Sequence, residues 1–201
     1  MPATAARKPD ASRRSERSRR AILEAALDQV GETGYEKLTI EGIAARAGVG
    51  KQTIYRWWPS KAAVLLDAFT AVSEEAAQGE HSLPDTGDLE ADLKEVVRAT
   101  VDELNRDVYD RPARALAAAA VTDPALAEEF NRRVLGPQLE LYVDRFTAAR
   151  AAGHIGPDVD VRVATDLLVG PLAHRWLLRT LPMDHAYADR VVELALRGIA
   201  T

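Results

Sequence analysis

The residues best equipped for chemistry lie between Thr39 and Lys61, in the stretch TIEGIAARAGVGKQTIYRWWPSK. Its apolar positions Ile43, Ala44, Val49 and Ile54 are spaced to close the inner angle between two short helices. Small residues at Ala44 and Ala47 allow a close approach, and Gly48 supplies a positive φ for a turn of Ala47, Gly48 and Val49. Lys51, Gln52, Thr53, Tyr55, Arg56 and Trp57 are then left mostly outward. Gln, Thr and Lys at the start of a helix present donors and acceptors that suit base edges in a major groove. Tyr55, Lys61 and Thr39 suit phosphate oxygens, and the helix start at Gly50 adds free backbone N–H groups. Arg13, Arg14, Arg17, Arg19 and Arg20 lie at or before the preceding helix, placed to hold a phosphate backbone or enter a minor groove.

The competing reading of residues 39–61 is an ordinary helical hairpin with a solvated face. Charge distribution weighs against it. The chain has a net charge of −5, yet residues 1–65 carry 12 Lys/Arg and 7 Asp/Glu, while residues 66–201 carry 14 and 24. A basic first third on an acidic body is a local nucleic-acid footprint.

Other chemistries find little support. GVGK at 48–51 lacks the full phosphate-loop pattern, because Ala45 stands where the first Gly belongs and Gln52 where Ser or Thr belongs. His81, His154, His174 and His185 are scattered, and none forms an i, i+4 pair with another, so no metal site is expected. Cysteine is absent, which removes thiol nucleophiles and disulfides and suits a reducing cytoplasm. No cofactor, catalytic residue or membrane span is expected, and the N-terminus has no apolar signal region.

The surrounding pattern is all-α, with about nine helices and no strand-like alternation. Residues 1–14 are expected to be a disordered basic tail, residues 15–60 a three-helix helix-turn-helix domain, and residues 61–201 a helical regulatory and dimerisation domain. Ser15, Thr39, Ser60, Asp123 and Asp184 are expected N-caps. Residues 78–87 form a loop, residues 113–121 a short helix, and Gly136-Pro137 a kink in the helix that follows.

At this point the sequence resembles a known family. ILEAALDQVGETGYEKLTI, the turn and second helix through YRWW, and PSKAAVLL look like the DNA-binding domain of the TetR family of repressors, over residues 17–69. The C-terminal stretch DLLVGPLAHRWLLRTLPMDHAYADRVVELALRGI resembles one regulatory-domain subgroup. The resemblance implies an all-α homodimer whose last two long helices form the dimer interface, with a ligand pocket in its body. It implies that ligand binding changes the spacing of two reading heads and releases operator DNA. Gly50 departs from the family's usual Ser, and Trp57 from its usual Tyr or His.

Phe69, Tyr109, Phe130, Tyr142 and Phe146 are expected either as plain core or as lining of an effector cavity among the helices of residues 88–180. His174 and Arg175 lie mid-helix beside Gly170-Pro171, either as polar anchors in that cavity or as dimer contacts. The effector is expected to be hydrophobic or amphipathic. Residues 161–180 and 186–199 carry apolar faces, including Leu167, Leu168, Leu172, Val192 and Leu194, that a symmetric partner would bury. An all-α enzyme would need a nucleophile and base in register, which are not found. A protein-binding adaptor would not need the basic N-terminal third.

Overall fold

The computed structural model describes residues 11–76 and 82–199. Among these residues are ten α-helices and no strands: α1 (Ala11–Thr33), α2 (Ile40–Ala47), α3 (Lys51–Tyr55), α4 (Lys61–Ala76), α5 (Leu89–Leu104), α6 (Asp107–Thr122), α7 (Pro124–Phe130), α8 (Gly136–Ala151), α9 (Val161–Leu178) and α10 (His185–Ile199). A π-helical turn, Asn131–Leu135, joins α7 to α8 without a break in helical backbone, so these make nine rods. The chain divides into two compact units, residues 1–69 and 70–201. The division falls inside α4, which runs without interruption from Lys61 to Ala76.

In the first unit α2 packs on α1 and α3 on α2. Ile22, Ala26 and Val30 of α1, Leu38, Ile43 and Ala44, Ile54, and Val64 and Leu65 of α4 are among its buried residues. α1 begins at Ala11 and not at Ser15, so residues 11–14 of the expected disordered tail are helical. After Pro9 nothing in ASRRSERSRR breaks a helix, and Ala and Arg extend it back from the apolar stripe. Residues 1–10 of that expected tail, and residues 78–81 of the expected loop, lie outside the described residues.

In the second unit α5 packs against α10 and α6, and α9 against α8 and α10. Leu93, Val97, Phe146, Leu168 and Val192 stand at the centre of this core. Side chains close the helix starts. Asp123 accepts from the Leu126 N–H at 3.1 Å, Asp160 from Arg162 at 2.9 Å and Asp184 from Tyr187 at 2.8 Å.

Two boundaries differ from expectation. α6 starts at Asp107, before the expected Ala113, and carries Pro112 inside it. The proline forfeits one ladder bond. The buried face of Tyr109, Ala113 and Leu116 holds the helix through that point. At the expected kink the backbone widens into the π turn. There the Asn131 carbonyl lies 2.8 Å from where a Cβ on Gly136 would sit, so only glycine fits.

Candidate nucleic-acid interface

The hairpin of α2 and α3 is built from local signals. The Thr39 hydroxyl accepts from the Gly42 N–H at 3.0 Å and starts α2. Gly48 ends it in the left-handed region, with φ 65° and ψ 34°. The Gly48 N–H then donates to Ala45 at 3.3 Å and that of Val49 to Ala44 at 3.0 Å. The Gln29 side chain of α1 lies over Gly42, where a Cβ would come within 2.3 Å of its amide nitrogen. Ile54 is fully buried, which fixes the rotation of α3.

That rotation leaves Lys51, Gln52 and Arg56 exposed, Tyr55 50% exposed, and Thr53 and Trp57 half-buried. The outward face expected from the sequence is therefore the outward face of the structure. Gly50 is exposed and extended, with no side-chain cap; its carbonyl accepts from the Thr53 N–H at 2.9 Å. The Arg56 guanidinium lies 5.0 Å over the Trp57 ring, and Trp57 meets Trp58 edge to face with centroids 5.4 Å apart. The Lys61 ammonium donates to the Tyr35 carbonyl at 3.0 Å and sits 4.5 Å over the Tyr35 ring. One of its three protons is thus spent on posture, and the remainder can meet an anion.

The structure also fixes the groups around this face, Arg19 of the expected backbone contacts among them. Trp58 is buried and its indole N–H donates to Asp67 at 2.8 Å. Arg19 reaches the same carboxylate at 3.3 Å and lies 5.9 Å over the Trp58 ring, so it ties α1 to α4, while Arg17 and Arg20 are exposed. Arg13 and Arg14 fall on the helical backbone of α1. Arg46 makes a two-pronged contact with Glu32, at 2.8 and 2.5 Å, and is a strut between α1 and α2. Glu41 pairs with Lys51 at 2.9 Å. The Lys51 hydrogen bond holds the Glu41 carboxyl below its usual range, and Glu41 in turn raises the Lys51 ammonium. The Glu41–Lys51 pair crosses a turn at a separation no helical rule flags, so no sequence signal marked it.

The expected effector residues do not all come together. Phe69 is buried in the first unit. Tyr142 and Phe146 share the core of the second, and Tyr109 and Phe130 are also buried there. Burial, with the Glu103 carboxylate nearby, raises the Tyr109 hydroxyl. His174 is exposed on α9. Arg175 turns instead toward α10, 3.4 Å over the Tyr187 ring and 3.3 Å from the Pro182 carbonyl. Among the described residues no group of three or more His, Cys, Asp or Glu could hold a metal, and no helix is long and apolar enough to cross a membrane.

A short second helix held by one buried residue and showing a polar, partly basic face is the form of a helix-turn-helix DNA-binding domain. Comparison with known proteins agrees. Residues 22–68 match the model for bacterial regulatory proteins of the tetR family, and residues 83–195 match that for the tetracyclin repressor-like C-terminal domain. An uncharacterized HTH-type transcriptional regulator, YdeS of Bacillus subtilis, is 32% identical, covering 92% of this chain and 91% of its own. The DNA-binding transcriptional repressor TetR of Mycobacteroides abscessus is 31% identical over 90% of this chain and 92% of its own. The crystal structure of the TetR family transcription regulator SCO0332 superposes with a TM-score of 0.70 at 35% identity, over 92% of this chain and 99% of that one. The chain belongs to the TetR family of DNA-binding transcription regulators.

Proposed function

We propose that the protein is a repressor that binds a palindromic operator as a homodimer and is released by a small-molecule effector in the cytoplasm, without catalysing a reaction. The observation that carries this reading is the face of α3: Ile54 is buried while Lys51, Gln52 and Tyr55 point outward. Gln52 and Thr53 would read base edges. Thr39, Gly50, Tyr55, Arg56, Trp57 and Lys61 would position the head on phosphates.

The homodimer is supported by apolar surface that the fold leaves uncovered. Residues 163, 167, 170, 174 and 177 follow one another along α9 at helical spacing, and residue 181 lies past its end. Of these Leu167 is 51% and Leu181 60% exposed, and Leu194 on α10 is 55% exposed. The apolar face expected from the sequence is thus two faces. Ala164, Leu168, Leu172 and Val192 fill the core, and Leu167 and Leu194 are left for a partner. Two heads carried by such a dimer would sit about one helical turn of DNA apart, ~34 Å, on inverted half-sites.

Release requires an effector that binds the DNA-incompetent state better than the competent one. Tyr109, Phe130, Tyr142 and Phe146 make the interior of the second unit largely apolar, which favours a hydrophobic or amphipathic ligand. Two proteins of the same fold are described as the fatty acid degradation regulator FadR of Bacillus halodurans and the flavonoid-responsive regulator FrrA. Both names fit that ligand class.

The test is selection from random duplex DNA by the purified protein, repeated with fatty acids and flavonoids present. The expected outcome is an inverted repeat whose recovery falls with a ligand of this class. Enrichment of a motif without inverted symmetry would contradict the homodimeric reading. An operator complex indifferent to every such ligand would contradict the effector class.

A further inference from the structure

Within residues 39–61 there is a single acidic side chain, Glu41, among Arg46, Lys51, Arg56 and Lys61. A carboxylate on a surface that meets DNA faces phosphate repulsion, so its presence there calls for a reason. Stability supplies only a weak one: a carboxylate in the first turn of α2 suits the helix dipole. The side chains of Lys51 and Glu41 are 53% and 63% exposed, and ion pairs in such settings contribute little. Nor is Glu41 neutralised by protonation, since the hydrogen bond from Lys51 keeps it ionised.

Position supplies the reason. Lys51 is the first residue of α3, and in a helix-turn-helix the N-terminal residues of the second helix are those that reach base edges. The Glu41 carboxylate lies 2.9 Å from the Lys51 ammonium, so α2 and α3 together carry a donor and an acceptor to one place. Across the major-groove edge of a G·C pair the order is guanine N7, guanine O6 and cytosine N4–H: two neighbouring acceptors, then a donor. An ammonium beside a carboxylate is complementary to that order. In an A·T pair the adenine amino group stands between two acceptors, and the thymine methyl occupies the outer edge. There a side-by-side ion pair cannot give the ammonium two adjacent acceptors.

We infer that Glu41 and Lys51 act as one reader of a G·C base pair in each operator half-site. Lys51 donates to guanine N7 and O6, and Glu41 accepts from cytosine N4–H. The inference rests on the DNA-binding reading and extends it to a residue outside the expected contact set. Arg46, which also projects from α2, takes no part, because Glu32 and Asp28 already hold it.

The experiment is random-DNA selection and titration of the selected operator, with wild type, Glu41→Gln and Lys51→Gln, each checked by thermal unfolding. Wild type is expected to require G·C at one symmetric position. Both variants should relax that position by about tenfold, leave the other positions alone and melt with the wild type. Glu41→Gln should also bind unrelated DNA as well as wild type or better, having lost a negative charge. Equal weakening of Glu41→Gln on all sequences would reduce the pair to a structural strut and overturn the inference. So would an A·T requirement at the responsive position, or no response at any position. Failure of wild type to enrich any sequence would overturn the DNA-binding reading, and the pair's role with it.

Discussion

Replacing Arg145 by Leu would break the most deeply buried ion pair among the described residues. Arg145 on α8 donates to Asp92 on α5 at 3.0 Å, to the Pro84 carbonyl at 2.9 Å, and lies 3.1 Å from Asp85. Arg145 and Asp92 are both buried. Asp92 also accepts from the Thr86 N–H at 3.0 Å and the Thr86 hydroxyl at 2.6 Å, so the cluster fastens residues 84–86 to two helices. Losing one partner of a buried pair leaves a charge without compensation and costs about 3–5 kcal/mol. In a chain of this size each kcal/mol lowers Tm by roughly 2–4 °C, so a fall of about 6–20 °C is expected. Adding Asp92→Asn should recover part of it, because no charge then remains stranded.

The pH dependence follows from the same cluster. Burial pushes the Asp92 carboxyl up, but the bonds from Thr86 and Arg145 outweigh it and hold the group below its usual value of 3.8. Its contribution is therefore complete above that value and is lost as pH falls through the folded-state value. The gap between wild type and Arg145→Leu should be widest near neutral pH and narrow below about pH 4. The assay is thermal unfolding followed by circular dichroism at one fixed protein concentration, since the stability of the proposed homodimer depends on concentration. A loss below about 1 kcal/mol at pH 7, or a gap that widens on acidification, would refute the reasoning.

Three further outcomes are expected. Leu167→Glu should convert the proposed homodimer to monomer in sedimentation and lower operator affinity about 100-fold or more, because the second head no longer binds intramolecularly. Lys61→Ala should weaken operator and unrelated DNA alike and lower the salt slope by about one per subunit, measured by titration at several salt concentrations. Thr39→Ala should cost about 1 kcal/mol in unfolding experiments through loss of the α2 cap.

Local signals were the most legible in the sequence. The caps at Thr39, Asp123 and Asp184 and the positive φ at Gly48 depend only on neighbours a few residues away, and each is present. The outward face of α3 followed from the apolar spacing of Ile43, Val49 and Ile54 for the same reason. What resisted reading depends on three-dimensional packing. Pro112 signals a break, yet the buried face on either side of it carries α6 through. Leu167 and Leu168 are equally apolar, and only the arrangement of α5, α8 and α10 decides that one is buried and the other bare. The Glu41–Lys51 pair and the contacts of Arg19 and Trp58 with Asp67 join residues at separations that no periodicity marks.

The most direct test of the central claim compares Gln52→Ala and Thr53→Ala with wild type on a panel of operators differing by one base pair. If the outer face of α3 reads the groove, each variant changes the ranking of the operators while its binding to unrelated DNA stays near wild type. An unchanged ranking in both variants, with affinity intact, would contradict the account, because the reading surface would then lie elsewhere.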